Sequence, residues 1–131
     1  MTDQLTNRLF DFIESSPTSC HAVNAVRAML LQQGFTELAE TQPWRLVPGQ
    51  GYFATRGPGS IIAFRYPKND FKAFSIVAPH SDSPCFKVKG SPEMRVEKHY
   101  TKLNTEVYGG MVLNLWLDRP LSVAGRLVIR T

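Results

Sequence analysis

One apolar run limits the possible folds of this chain strongly: Ala73-Phe74-Ser75-Ile76-Val77-Ala78 leads directly into Pro79-His80-Ser81-Asp82-Ser83-Pro84. The run lacks clean alternation, a pattern typical of a central strand that is buried on both faces. Open α/β sheets bind their ligands just beyond the carboxyl ends of such strands. The sequence therefore predicts a buried strand over residues 73–78, with His80 and Asp82 at its functional end.

Two helices are predicted at the start of the chain. The first carries an apolar stripe and ends at Ser15-Ser16-Pro17, and the second is capped by Thr18 or Ser19 and stops at Gly34. We expect both stripes to belong to the core. The residues of the two stripes are Leu5, Leu9, Phe12 and Ile13 in the first helix, and Ala22, Val23, Val26, Met29 and Leu30 in the second.

Strands account for most of the remaining pattern. Residues 51–56 and 60–66 flank Gly57-Pro58-Gly59, which predicts a hairpin. After Gly90-Ser91-Pro92 apolar residues alternate with polar ones, as in an antiparallel sheet with one face exposed to solvent. The alternation is clearest at Leu121, Val123, Leu127 and Ile129. We therefore predict an α/β fold with a boundary near residue 92. We interpret the final residues, which stop inside a strand pattern, as the end of a truncated chain.

The charge is uneven along the chain. Residues 1–65 hold five basic and five acidic side chains, whereas residues 66–131 hold ten basic and six acidic ones. A basic half can attract nucleic acid or acidic peptides, but these cations are spread along predicted strands, which favours an ordinary solvated face. No export signal or membrane-spanning run is evident, so Cys20 and Cys85 are expected to be reduced thiols in a cytoplasmic protein.

His80 and Asp82 are the candidates for metal chemistry. Imidazole is a good zinc ligand, and a carboxylate two residues away can fix its tautomer and orientation. A His-x-Asp spacing also occurs by chance, and a histidine in a loop is often only a hydrogen-bonding group. Zinc needs three or four ligands, and no other candidate stands at a recognised spacing. The other possible ligands are Cys20, His21, Cys85, His99 and scattered carboxylates.

Four sequence blocks occur in a fixed order along most of the chain. The blocks are Ser16-Pro17-Thr18-Ser19-Cys20-His21-Ala22-Val23, Ala78-Pro79-His80-Ser81-Asp82-Ser83-Pro84-Cys85 with Lys87-Val88-Lys89, Glu106-Val107-Tyr108-Gly109-Gly110, and Trp116-Leu117-Asp118-Arg119-Pro120-Leu121-Ser122-Val123-Ala124-Gly125-Arg126. Together they resemble the aspartyl aminopeptidase family of dinuclear zinc metallopeptidases. Single residues at Cys20, Met111 and Pro120 differ from those common in that family.

The resemblance implies a hydrolase that uses two zinc ions to remove N-terminal, typically acidic, residues from peptides. His80 would bind one zinc, and Asp82 would be the catalytic-site carboxylate that orients it. The remaining ligands and the general base of the family lie beyond residue 131. Residues 1–91 would form the N-terminal part of an α/β sandwich catalytic domain. Residues 92–131 would begin an inserted β-rich domain that assembles homo-oligomers, commonly dodecamers.

Two other classes of function stay open from the sequence. The chain alone is expected to lack peptidase activity, so it would be a non-catalytic partner-binding module or a remnant of such an enzyme. A nucleic-acid-binding domain is suggested by the basic half with Phe86, Tyr100 and Tyr108, but no recognisable motif supports it. We therefore expect neither a nucleic-acid nor a membrane partner.

Overall fold

The computed structural model describes residues 2–130, which form two units: residues 2–82 together with 124–130, and Ser83–Val123. A short 3₁₀ helix covers Leu113–Trp116. This mixture of helices and small sheets confirms the predicted α/β class. The other elements are α1 (Thr2–Glu14), α2 (Ser19–Gln32), β1 (Thr36–Glu37), β2 (Gly51–Arg56), β3 (Ser60–Arg65), β4 (Cys85–Val96) and β5 (Tyr100–Tyr108).

The ends of the two helices follow from local sequence. The Ser15 hydroxyl donates to the Phe12 carbonyl (3.0 Å) just after α1. Thr18 is the N-cap of α2, where its Oγ1 accepts from the backbone N–H of His21, and Gly34 takes the left-handed conformation (φ 76°) after the last turn. These boundaries confirm the predictions. None of the helices in residues 2–130 is long and apolar enough to cross a membrane.

The expectation that both apolar stripes are core is wrong for α1. Its Leu5, Leu9 and Ile13 side chains are exposed, and only Phe12 is half-buried. In α2, by contrast, Ala22 and Val23 are buried. An amphipathic stripe shows that a helix has an apolar face, but it does not say which surface covers that face.

The core of the first unit lies between α2 and a three-stranded sheet. The strand order is β1-β2-β3, with β1 parallel and β3 antiparallel to the central β2. Tyr52, Phe53 and Ala54 of β2 are buried, and the Phe53 side chain is fully so. The β2–β3 ladder ends at Arg56 opposite Ser60, so the predicted hairpin around Gly57-Pro58-Gly59 is confirmed.

An ion pair joins α2 to β1. The Arg27 guanidinium contacts the Glu37 carboxylate with both Nε (3.0 Å) and Nη2 (2.6 Å), and the Thr55 hydroxyl lies 3.5 Å from the same carboxylate. The hydrogen bond from Arg27 lowers the pKa of Glu37 below its ordinary value, and partial burial opposes this. Because a lowered carboxyl pKa means that the ionised form is favoured in the folded chain, this pair links stability to pH.

We expect Glu37→Gln to lower the melting temperature at neutral pH by a small amount, because both partners are partly solvated. The stabilisation is present above the ordinary pKa of a glutamate and is lost as the pH falls through the lowered pKa of Glu37. Thermal unfolding of both proteins from pH 7 to pH 3 should therefore show their difference shrinking. Glu40→Gln is the matched control, since Glu40 pairs with the exposed Arg56. A difference that stays constant with pH would contradict the linkage.

The second unit contains the antiparallel hairpin of β4 and β5. The ladder runs from Cys85 opposite Tyr108 to Val96 opposite Tyr100, with a register shift between Val88 and Glu93. Residues 89–92 of β4 face Asn104 alone, so the side-chain face that holds Phe86 and Val88 continues as Glu93 and Arg95. Glycine and proline inside a strand commonly mark such a bulge.

The residues Gly90-Ser91-Pro92 therefore mark a bulge within β4. The two units of the described chain divide between Asp82 and Ser83, earlier than the boundary expected near residue 92. The assignment of 1–91 to a catalytic domain and of 92–131 to an assembly domain stays a prediction.

Two predicted strands are wrong. Residues 73–78 and the alternating segment 121–129 both lie outside any strand, and Phe74, Ile76, Val77, Leu127 and Ile129 are mostly exposed. A strand needs hydrogen-bonded neighbours, and a central strand needs one on each side. No strand among residues 2–130 pairs with either segment. The apolar side chains of these segments are typical of buried strands, but neither segment pairs with a strand in the described part of the chain.

Candidate metal centre

The candidate residues lie in a segment without helix or strand, between the end of β3 at Arg65 and the start of β4 at Cys85. Nδ1 of His80 is 3.0 Å from Oδ1 of Asp82. The His80 side chain is 92% exposed, whereas that of Asp82 is 35% exposed. The pairing expected from the sequence is therefore present, although the supporting strand is not.

This contact fixes the chemistry of the imidazole. An ionised carboxylate only accepts hydrogen bonds, so Nδ1 of His80 keeps its proton and donates a hydrogen bond to Oδ1 of Asp82. In the neutral ring, Nε2 then keeps its lone pair, and that is the atom available to a metal. His80 and Asp82 thus fit the arrangement of a ligating histidine and the carboxylate that orients it.

The intervening residue ties the loop to the hairpin. The Ser81 hydroxyl donates to the Gly59 carbonyl at 2.8 Å, across 22 positions of sequence. Ser81 is half-buried while its neighbour His80 is exposed. This bond was not predicted from the sequence, in which the only local hint is the turn-forming Gly57-Pro58-Gly59 segment.

The other candidate ligands lie elsewhere. The ring of His21 is 2.7 Å from Thr18 Oγ1 at the start of α2, so it has a structural hydrogen bond. His99 is exposed in the turn between β4 and β5, and Cys20 and Cys85 are free, half-buried thiols. No three histidine, cysteine or acidic side chains of residues 2–130 stand close enough to hold a metal ion together. The described residues fit one ligand of a zinc site, whereas zinc needs at least three.

The first unit also has a shallow groove that is a second candidate site. It is lined by residues 37–41 and Thr55, none of which belongs to the His80 loop. Its two carboxylates, Glu37 and Glu40, already bind Arg27 and Arg56. The raised pKa of each arginine, caused first by its hydrogen bond to the glutamate, reflects these pairs. Such paired groups support the fold and leave no spare acid or base.

The family follows from comparison with known proteins. The family model described as aminopeptidase I zinc metalloprotease (M18) matches residues 12–131. The chain belongs to the M18 family. This confirms the family predicted from the four sequence blocks. M18 members are named as zinc metalloproteases, which supports zinc as the metal of the family.

Relatives and solved structures of M18 proteins agree with this assignment. A Clostridium novyi protein named "Probable M18 family aminopeptidase 2" is 44% identical over 129 residues, which cover 97% of this chain and 30% of the relative. The structure of mApe1 from Chaetomium thermophilum is 30% identical, with a TM-score of 0.78 over 91% of this chain and 28% of that one. The S. cerevisiae mApe1 dodecamer is 25% identical, with a TM-score of 0.73 over 88% of this chain and 27% of that one. The chain thus spans about 30% of the length of the curated M18 relatives it matches.

Proposed function

We propose that the complete protein carrying this chain is a zinc aminopeptidase that removes N-terminal, acidic residues from peptides. The observation that carries the proposal is the His80–Asp82 pair, in which Nδ1 is held at 3.0 Å from a carboxylate while the ring is exposed. Membership of the M18 family supports the reaction class. In this proposal, residues 1–91 belong to the catalytic domain and residues 92–131 begin an assembly domain.

His80 and Asp82 have different roles in this proposal. His80 presents Nε2 to one zinc ion, and Asp82 holds the proton on Nδ1 so that the ring keeps one tautomer and one orientation. A pair of zinc ions, when bound, would supply the Lewis acidity that polarises the scissile carbonyl and activates water. The other ligands and the general base would come from outside residues 2–130, in which no three potential ligands cluster.

We also propose that the complete protein is a homo-oligomer. The S. cerevisiae mApe1 structure, which resembles this chain with a TM-score of 0.73, is a dodecamer. The hairpin of β4 and β5 exposes apolar side chains, among them Val88, Met94, Leu103 and Val107. Apolar surface on a hairpin of this kind suits contact between subunits.

The complete protein is expected to release N-terminal Asp or Glu from peptides with a higher kcat/KM than N-terminal Leu. Treatment with 1,10-phenanthroline should abolish this release, and added zinc should restore it, because the metal supplies the Lewis acid. The same peptide blocked at its α-amine is the control and should resist cleavage. Release that survives complete removal of metal would contradict the proposal.

A second function, non-catalytic partner binding, is favoured by one observation. Zinc needs at least three ligands, and no such group exists within the described residues. The intact mass of the protein from its own source separates the two functions. A mass far above 14.7 kDa supports the enzyme. A mass of 14.7 kDa, together with no aminopeptidase activity whether or not a chelator is present, supports a binding module.

A further inference from the structure

The residue between the two candidate site residues makes a side-chain hydrogen bond to a distant part of the first unit. Ser81 Oγ donates to the Gly59 carbonyl at 2.8 Å. Residues 67–84 contain no helix or strand, so a sheet ladder does not hold the His80–Asp82 pair in place. The contact within the pair spans only two residues and cannot by itself fix the pair relative to the fold.

The acceptor of this bond belongs to a well-supported turn. Gly59 ends the turn of the β2–β3 hairpin, and β2 provides the buried Tyr52, Phe53 and Ala54. Gly59 also lies close to the first turn of α2, since a Cβ at this position would be 3.3 Å from Ser19 Oγ. The carbonyl that Ser81 contacts is therefore positioned by the hairpin and by its close approach to α2.

We propose that Ser81 is a positioning residue of the zinc site, which holds the His80–Asp82 pair against the β2–β3 turn. This inference rests on the proposed function, because the pair must bind metal for its position to matter. Ser81 touches neither metal nor substrate in this proposal. Ser81 lies between His80 and Asp82 in the sequence. Its hydroxyl contacts the Gly59 carbonyl, while the imidazole of His80 remains exposed.

The hydroxyl should therefore contribute to zinc affinity. Loss of a group that orients a ligating histidine typically weakens metal binding by roughly 10- to 100-fold. Because Ser81 acts through the loop, we expect Ser81→Ala to weaken zinc binding at the His80 site by about 10-fold, at the lower end of that range. Ser81→Thr keeps the hydroxyl and should restore most of the affinity. Ser83→Ala removes an exposed hydroxyl of the same loop and should change nothing.

The test measures zinc affinity of the complete protein by competition with a chromogenic chelator, for these three variants and His80→Ala. Ser81→Ala with wild-type affinity, or Ser81→Thr as weak as Ser81→Ala, would overturn the positioning role. If His80→Ala keeps the full zinc content, the proposed function fails, whatever the Ser81 variants do. The two failures are thus distinguishable.

A metal-free measurement tests the anchor itself. Amide hydrogen exchange at residues 80–83 should be faster in Ser81→Ala than in the wild type or in Ser83→Ala, because the loop loses the hydrogen bond to the Gly59 carbonyl. Unchanged exchange in Ser81→Ala would overturn the inference even if this variant binds zinc weakly.

Discussion

Replacing His80 with alanine in the complete protein is expected to remove one zinc ion and most of the aminopeptidase activity. The imidazole has its Nδ1 proton held by Asp82 and leaves Nε2 as the metal-binding atom. Removing an entire ligand should cost more than the roughly 10- to 100-fold loss that is typical when only an orienting partner is removed. Zinc content by atomic absorption and kcat/KM on a peptide with N-terminal Asp would measure the two effects.

His99→Ala is the matched control for this prediction. His99 is exposed in the turn between β4 and β5, where its backbone N–H donates to the Val96 carbonyl at 3.2 Å. Because that bond uses the backbone, the alanine variant should keep the turn, the zinc content and the activity. Equal losses of zinc and activity from His80→Ala and His99→Ala would refute the roles given to the two histidines.

Replacing Phe53 with alanine is expected to destabilise the first unit by about 3–5 kcal/mol, the usual cost of removing a buried phenylalanine side chain. Phe53 lies on the central strand β2, is 0% exposed, and is the largest fully buried side chain among residues 2–130. The loss combines the transfer free energy of the ring with the cavity that remains. Since a domain of this size is stabilised by only about 5–15 kcal/mol in total, this loss should lower the midpoint of unfolding substantially.

Phe10→Ala is the control for this second prediction. Phe10 is a phenylalanine of α1 that is 56% exposed, so its removal leaves no cavity and should change the free energy of unfolding little. Denaturant unfolding followed by circular dichroism would compare the three proteins. Similar midpoints for Phe53→Ala and the wild type would mean that β2 does not organise this unit.

Local signals explain what the sequence predicted correctly. The cap at Thr18, the left-handed stop at Gly34 and the hairpin around Gly57 each depend on residues within a few positions, and the structure has all three. The His80–Asp82 contact is local too, because the two side chains are only two residues apart. The role of the pair in metal binding is not local, and it stays a prediction.

Long-range partners explain what the sequence did not predict. The run at residues 73–78 has the composition of a buried strand, but composition cannot supply the neighbouring strands that burial requires. The bond from Ser81 to Gly59 joins residues 22 positions apart, and neither residue type predicts it. Hydrophobic pattern therefore indicated which segments need burial, whereas the contacts that hold the candidate site depend on the fold.

The bulge in β4 has a consequence for how this hairpin can change during evolution. Residues 89–92 already lie opposite a single residue of β5, so the paired positions on either side are set independently of the number of residues between them. An insertion or deletion at this point leaves both ladders, and the faces of their side chains, as they are. A one-residue change within 85–88 would instead move the side chains between that point and the bulge to the opposite face. Natural length variation in this hairpin should therefore concentrate at Gly90-Ser91-Pro92, while the paired segments keep constant lengths.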